Sequence, residues 1–345
     1  MSVLQRPRRS GMRAHGPLLA AVAVSGVAGV VALAGLLVDD RVLTGEPIWL
    51  KPFKFSVSVA LYAATLAWML SHLRRGRRWG RWLGTVIAAM VAGELVLITV
   101  QAFHGRMSHF NVQTPLDRLV WNGMTAMVVT LWVANLVIAV LLVTQRFEDL
   151  AMASAIRLGT VVSLAGMALG FSMTTSTPAL DSMRRGVGDG ITGAHSVGVP
   201  DGGPGLPVVG WSTSGGDLRV AHFLGIHALQ AIPLLAVALG ALALRTAWLR
   251  PERVRVRLVR IAAGTYAGVA AVAAWQALRG QPLTRPDAAT LVTFVTLLEM
   301  TAAAAAVVLW MGRRDAAGAP TSAPEETICP STPPSVTASS SAGER

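Results

Sequence analysis

The chain contains only two lysines, Lys51 and Lys54, three residues apart in the stretch WLKPFKF, a spacing that puts both on one helical face. Five of the seven histidines fall near the same ends of apolar runs: His104 and His109 in HGRMSHFN, His222 and His227 in AHFLGIHALQ, and His195 in a long connecting loop. Neutral imidazole carries protons and ligates iron, copper or zinc. Lys51, Lys54 and Arg219 would suit a small anionic ligand, or the propionates of a haem b held by His104 with His222 or His227 from another helix at matched depth. A transition metal would draw on His104, His109, His222 and His227, with Asp39, Asp40, Glu46, Asp117 or Asp217 as oxygen donors. Spacing limits that set, because five residues on a regular helix separate side chains by about 140° and 7.5 Å. His222 and His227 therefore cannot share one ion, and the i, i+4 pair of zinc proteases is absent. Taken singly, the basic residues read equally well as snorkelling side chains beside the interfacial Trp49.

Two carboxylates fall near the middle of apolar runs, Glu94 and Glu299. A charge there costs about 2.5–3.5 kcal/mol on insertion scales. Each is expected to face the bundle interior, as a proton relay, an ion or quinone contact, or simply bonded to a neighbour such as Asn135 or Gln276. Gln101, Gln230, Asn135 and Gln276 add intramembrane amides. These groups point first to a haem- or metal-binding redox protein with an outward site. The alternative is a transporter or channel for a small anion or proton-coupled solute, with Glu94 or Glu299 as its coupling group. Enzymatic attack on a lipid headgroup lacks an identifiable nucleophile.

The elements that must position these residues are apolar. Charged residues make up 14% of the chain and mean hydropathy is +0.54; soluble domains carry about 25% charge. Eight runs approach or exceed the roughly 20 residues needed to cross a bilayer: 17–38, 53–73, 82–103, 119–144, 158–176, 220–243, 258–278 and 289–311. The sequence thus predicts an all-α polytopic bundle of about eight transmembrane helices. Arginines cluster at the N-terminus, in RRGRRWGR, at Arg146 and Arg157, in RTAWLRPERVRVR and at Arg313 and Arg314, always on alternate connections. The positive-inside rule makes that side cytoplasmic and places both termini there. The net charge of +12 is spent on topology, and no base-stacking basic domain suggests nucleic acid. Cys329 is the single cysteine and lies in a polar tail, so disulfides, Cys-based metal sites and c-type haem attachment have no support in the sequence. Arginine over lysine, with abundant Ala, Gly and Val, reads as a GC-rich bacterial sequence and a place in the plasma membrane. Residues 1–16 form a basic cytoplasmic N-terminus, and the first run, at about 22 residues, is longer than a signal-peptide core.

The runs divide into two halves, 17–144 and 158–311, joined by a cytoplasmic link at 145–157. The second half carries a long outer loop at 177–219, and residues 312–345 form a disordered cytoplasmic tail. Residues QAFHG (101–105) echo QALRG (276–280), KPFKF (51–55) echoes RVAHF (219–223), and Pro115 with Asp117 echoes Pro286 with Asp287. Two parallel four-helix repeats would explain this, with Lys51 and Lys54 answering Arg219 and His222. The outer loop mixes Gly and Pro with Val208, Val209 and Trp211, which predicts an ordered cap. WLKPFKF, HGRMSHFN and GGDLRVAHFLGIHALQ together resemble a group of uncharacterised bacterial, often actinobacterial, multi-pass membrane proteins. That resemblance implies the membrane fold and no particular activity.

Overall fold

The computed structural model describes residues 15–174 and 189–317. Among them are eight helices long and apolar enough to cross a membrane: α1 (Gly16–Val38), α2 (Leu50–Ser71), α3 (Arg77–Phe103), α4 (Pro115–Val143), α5 (Leu150–Ser172), α6 (Leu218–Ala243), α7 (Glu252–Leu278) and α8 (Ala288–Ala317). The chain is an integral membrane helical protein whose apolar helices face lipid.

Helix starts follow local capping chemistry. Thr114, Asp149 and Asp217 each accept a backbone N–H of the turn they open, and Pro115 takes the first position of α4. Asp149 explains one departure from the hydropathy reading. Helix α5 begins at Leu150 rather than near 158, so the expected link at 145–157 shrinks to Thr144–Asp149. Its Arg157 reaches back to the Gln145 carbonyl at 2.9 Å and lies over the Phe147 ring, which keeps a charge inside a span. Helix α8 continues to Ala317, so residues 312–317 are helical rather than tail. The N-terminal arginines and the tail from 318 onward lie outside the described residues.

Each half packs its helices in the same pairs. In the first, α1 lies on α2 and α3, α3 on α2 and α4; in the second, α5 lies on α6 and α7, α7 on α6 and α8. The turn after the third helix also recurs. Gln101 Nε2 donates to the Met107 carbonyl, and Arg106 pairs with Asp117, which Thr114 also contacts. Gln276 Nε2 donates to the Pro282 carbonyl, and Arg279 pairs with Asp287, whose carboxylate accepts from Thr290 N. A duplicated four-helix unit would produce both features.

The tightest contact is between α5 and α6. Ser163 donates across it to the Ile226 carbonyl, and a Cβ on either Gly166 or Gly225 would collide with the other glycine's backbone. Close backbone approach through small residues is how membrane helices gain van der Waals contact where no hydrophobic drive exists between them. A cap closes the outer end. Strand β3 (Ser196–Val197) pairs antiparallel with β4 (Gly216–Asp217), and Asn111 bridges to Ile191. The short hairpin of β1 (Val42–Leu43) and β2 (Glu46–Pro47) lies beneath it, with Gly45 against the Gly202 backbone. The ordered cap is present over 189–217; residues 175–188 lie outside the described set.

Gly225→Ala should lower the melting temperature of the purified protein, at an overpacking cost of about 1–3 kcal/mol. Gly264→Ala, in open space on α7, should change it little. Equal melting of the two variants would contradict the close α5–α6 contact.

Candidate functional site

Helices α2 and α6 start alike at the outer end. Lys51 and Arg219 are the second residues of their helices, and Lys54 and His222 follow three positions later. Cations in a first turn oppose the helix dipole, so carboxylates are brought in to hold them. Lys54 Nζ donates to Glu46 Oε2 at 2.8 Å and to the Val209 carbonyl at 3.1 Å. Arg219 Nη2 donates to Asp217 Oδ2 and to the Gly210 carbonyl, both at 2.6 Å, while its Nη1 stands 3.6 Å from Glu46 Oε1. Gly210 has φ +66°, and a Cβ there would run into the Glu46 carboxylate; only glycine lets this strand of the cap lie so close.

Lys51 is held differently. Its Nζ donates to His109 Nδ1 at 3.1 Å, and among the described residues it forms no ion pair with a carboxylate. The half-buried His109 ring sits 5.9 Å from both Phe55 and Trp121 and 6.1 Å from Phe110. Because Nδ1 accepts from Lys51, the proton of the neutral ring belongs on Nε2. Burial holds His109 well below the usual histidine range, and the Lys51 charge beside it acts in the same direction.

His195 comes from the cap. Its Nδ1 donates to Asp201 Oδ2 at 2.7 Å, and Asp201 also accepts the backbone N–H of His195 and Ser196. Burial lowers His195 below its ordinary range against the pull of Asp201. For Asp201, burial acts upward, but the His195 ring and the two N–H donors outweigh it and hold the carboxylate low. Phe110 packs 5.1 Å from His195 and is buried with φ +62°, a strained conformation for a bulky side chain. His222 Nδ1 donates to the Gly166 carbonyl at 2.7 Å. His195 and His222 therefore keep Nε2 lone pairs, whereas Lys51 and His109 Nε2 offer protons. Nearby on α3, Glu94 is 8% exposed, and its Oε1 has no hydrogen-bond partner.

Several expected members fall elsewhere. His104 is exposed, its Nδ1 bonded to the Val100 carbonyl of its own helix and its ring against Phe103. It cannot pair with His222 or His227 across a haem. His227 lies deeper, against Phe223 at 4.3 Å and beside Gln230, with Nε2 buried and unbonded; Gln230 Oε1 is likewise unbonded. Among the described residues no three His, Cys, Asp or Glu side chains gather as a metal site, so the four-histidine set does not form. Four of the five acidic candidates are committed locally, Asp39 to Arg41, Glu46 to Lys54, Asp117 to Arg106 and Asp217 to Arg219, and Asp40 is exposed. Glu299 does not face the interior. It is exposed on α8, a helix with little of its surface covered. Asn135 accepts from Tyr62 Oη at 2.7 Å, Gln101 donates to Asp117 at 3.0 Å, and Gln276 serves its turn, so none of these amides bonds Glu94.

His195 gained its role only in three dimensions, and Asp201, six residues on, carried no signal beyond being a carboxylate in a glycine-rich loop. Comparison with protein-family models, with curated proteins and with solved structures finds no match for the chain.

Both His109 and His195 have folded-state pKa values below the unfolded one. As pH falls through about 6.5 the unfolded chain takes up these protons first, so stability present above that pH is lost below it. The melting temperature should therefore drop between about pH 7 and pH 5, at up to about 1.4 kcal/mol per pH unit for each imidazole. His109→Gln should shrink the drop. A flat profile for the parent protein would rule out buried neutral rings.

Proposed function

We propose that the protein resides in the bacterial plasma membrane and binds a small anion at this outer site, exchanging a proton with it. The observation that carries the reading is Lys51, an ammonium half-buried at a helix N-terminus, bonded to an imidazole and, among the described residues, to no carboxylate. A helix N-terminus with a cation beside it attracts negative charge, and Lys51 with His109 Nε2–H supplies two donors. His195, oriented by Asp201, and His222 supply acceptors for a proton on the ligand. Glu94 is the next titratable group inward, and its unbonded oxygen makes it the natural proton partner for a carrier of this kind.

Proteoliposomes enclosing a pH-sensitive dye test this with imposed gradients of chloride, nitrate, phosphate and acetate. At least one anion should drive proton movement through the parent protein. Lys51→Met should weaken anion binding roughly tenfold to a hundredfold, the worth of a hydrogen bond to a charged group. Glu94→Gln should keep binding while abolishing the proton flux. Neither binding nor flux with any of the four would remove the proposal.

A second reading, metal or haem b binding, is favoured by one detail. Histidine ligands commonly fix their other nitrogen on a carboxylate or carbonyl, and His195 on Asp201 and His222 on Gly166 are held that way. This would rest on those two rings, not on His104. A Soret band or stoichiometric metal in the purified protein, lost in His195→Ala and in His222→Ala, would establish it. A colourless, metal-free sample in which the parent still binds anion would remove it.

A further inference from the structure

At the cytoplasmic end of the second half, away from the outer histidines, a groove of about 500 Å³ runs between α7 and α8. Its lining is apolar, from Ile261, Ala303, Ala304 and Val307, and the stems of Arg257 and Arg260 border it. The groove is shallow and open on one side, and the alanines leave room along it. Depth matches a leaflet boundary. Arg260 lies about 12 Å along α7 from its cytoplasmic start, while Ala303 lies about 22 Å along α8 from its outer start. The groove thus descends from headgroup level into the hydrocarbon core, which is about 30 Å thick.

The two arginines stand apart from their neighbours. Arg253 pairs with Asp315 at 2.6 Å, Arg255 donates to the Leu249 and Arg250 carbonyls, and Arg313 and Arg314 lie over Trp248 and Trp310. Among the described residues, Arg257 and Arg260 have no carboxylate partner; Arg257 has only the Met311 sulfur, at 3.9 Å. Guanidinium forks bind phosphate oxygens two at a time, and basic pockets between helices on the cytoplasmic side hold anionic headgroups.

We infer that this groove binds one anionic phospholipid of the cytoplasmic leaflet, its phosphate on Arg257 and Arg260 and an acyl chain along Ala303 and Ala304. The charge at the mouth selects the headgroup, and the apolar walls distinguish a seated lipid from a phosphate merely attracted to a basic surface.

Native mass spectrometry of the detergent-solubilised full chain tests this with dioleoyl-phosphatidylglycerol, dioleoyl-phosphatidylcholine and glycerol 3-phosphate. One phosphatidylglycerol should bind more tightly than phosphatidylcholine, by about fivefold for each arginine engaged, and glycerol 3-phosphate should not displace it. Arg257→Gln/Arg260→Gln should erase the preference, whereas Arg313→Gln/Arg314→Gln should keep it. Ala304→Leu, which fills the groove without changing charge, should weaken the phosphatidylglycerol adduct and so tests the site even where the double variant does not fold. Equal binding of the two lipids would overturn the inference. So would a preference that survives in Arg257→Gln/Arg260→Gln, or an adduct indifferent to Ala304→Leu.

Discussion

Two helices that begin with lysine and arginine should repel each other where their N-termini approach, since both carry positive dipole ends and positive side chains. Glu46 lets them meet. One oxygen takes Lys54 of α2 and the other faces Arg219 of α6, so a single carboxylate bridges the two halves at the outer surface. The cap depends on the same group. Gly210 lies against Glu46 and gives its carbonyl to Arg219, Val209 gives its carbonyl to Lys54, and Asp217 ties Arg219 to Ser212. With these cations neutralised, Lys51 is left as the one of the three whose charge no carboxylate at ion-pair distance answers among the described residues.

The polar groups of the spans behave in two ways. Some are satisfied locally: Tyr62 with Asn135, Tyr266 with the Leu224 carbonyl, Trp132 with the Leu164 carbonyl, each fastening one helix to another. Such bonds are worth about a kcal/mol each in membranes and explain amides that looked functional. Others keep a buried atom without a hydrogen-bond partner among the described residues: Glu94, His227 and Gln230, and the Nε of Arg157 and of Arg255. An unbonded buried polar atom costs roughly 1–3 kcal/mol, and those on α3 and α6 lie where the fold gives up stability, as binding and proton-handling sites do.

The halves repeat in packing but not in chemistry. The turn after α3 and the turn after α7 both use a glutamine, an arginine and an aspartate to stop a helix and start the next. The outer starts of α2 and α6 share a spacing of basic groups. Yet only the second half carries the cap, and only the first supplies Glu94. The asymmetry gathers the imidazoles of α6 and the cap over the lysine of α2. Neither half holds the cluster alone.

Hydropathy and charge along the chain were enough to give the eight spans, the alternation of arginine-rich connections, and the gathering of both lysines and five of the seven histidines at the opposite end. These follow from hydropathy and charge, which act along the chain and need no partner. The expected ordered cap is present over 189–217, but not for the reason of burying Val208, which is exposed; its carbonyls and N–H groups are held by Lys54, Arg219 and Asp217. What the sequence could not decide was direction. His104 and His109 are five residues apart, but α3 ends at Phe103, so one ring turns outward along its own helix and the other turns in to Lys51. Glu94 and Glu299 sit at comparable depths, yet α3 is walled by neighbours and α8 by little but α7. Which way a side chain faces is set by which helices surround it. That packing is a property of the folded bundle, fixed by contacts such as Gly166 on Gly225, and no local periodicity encodes it.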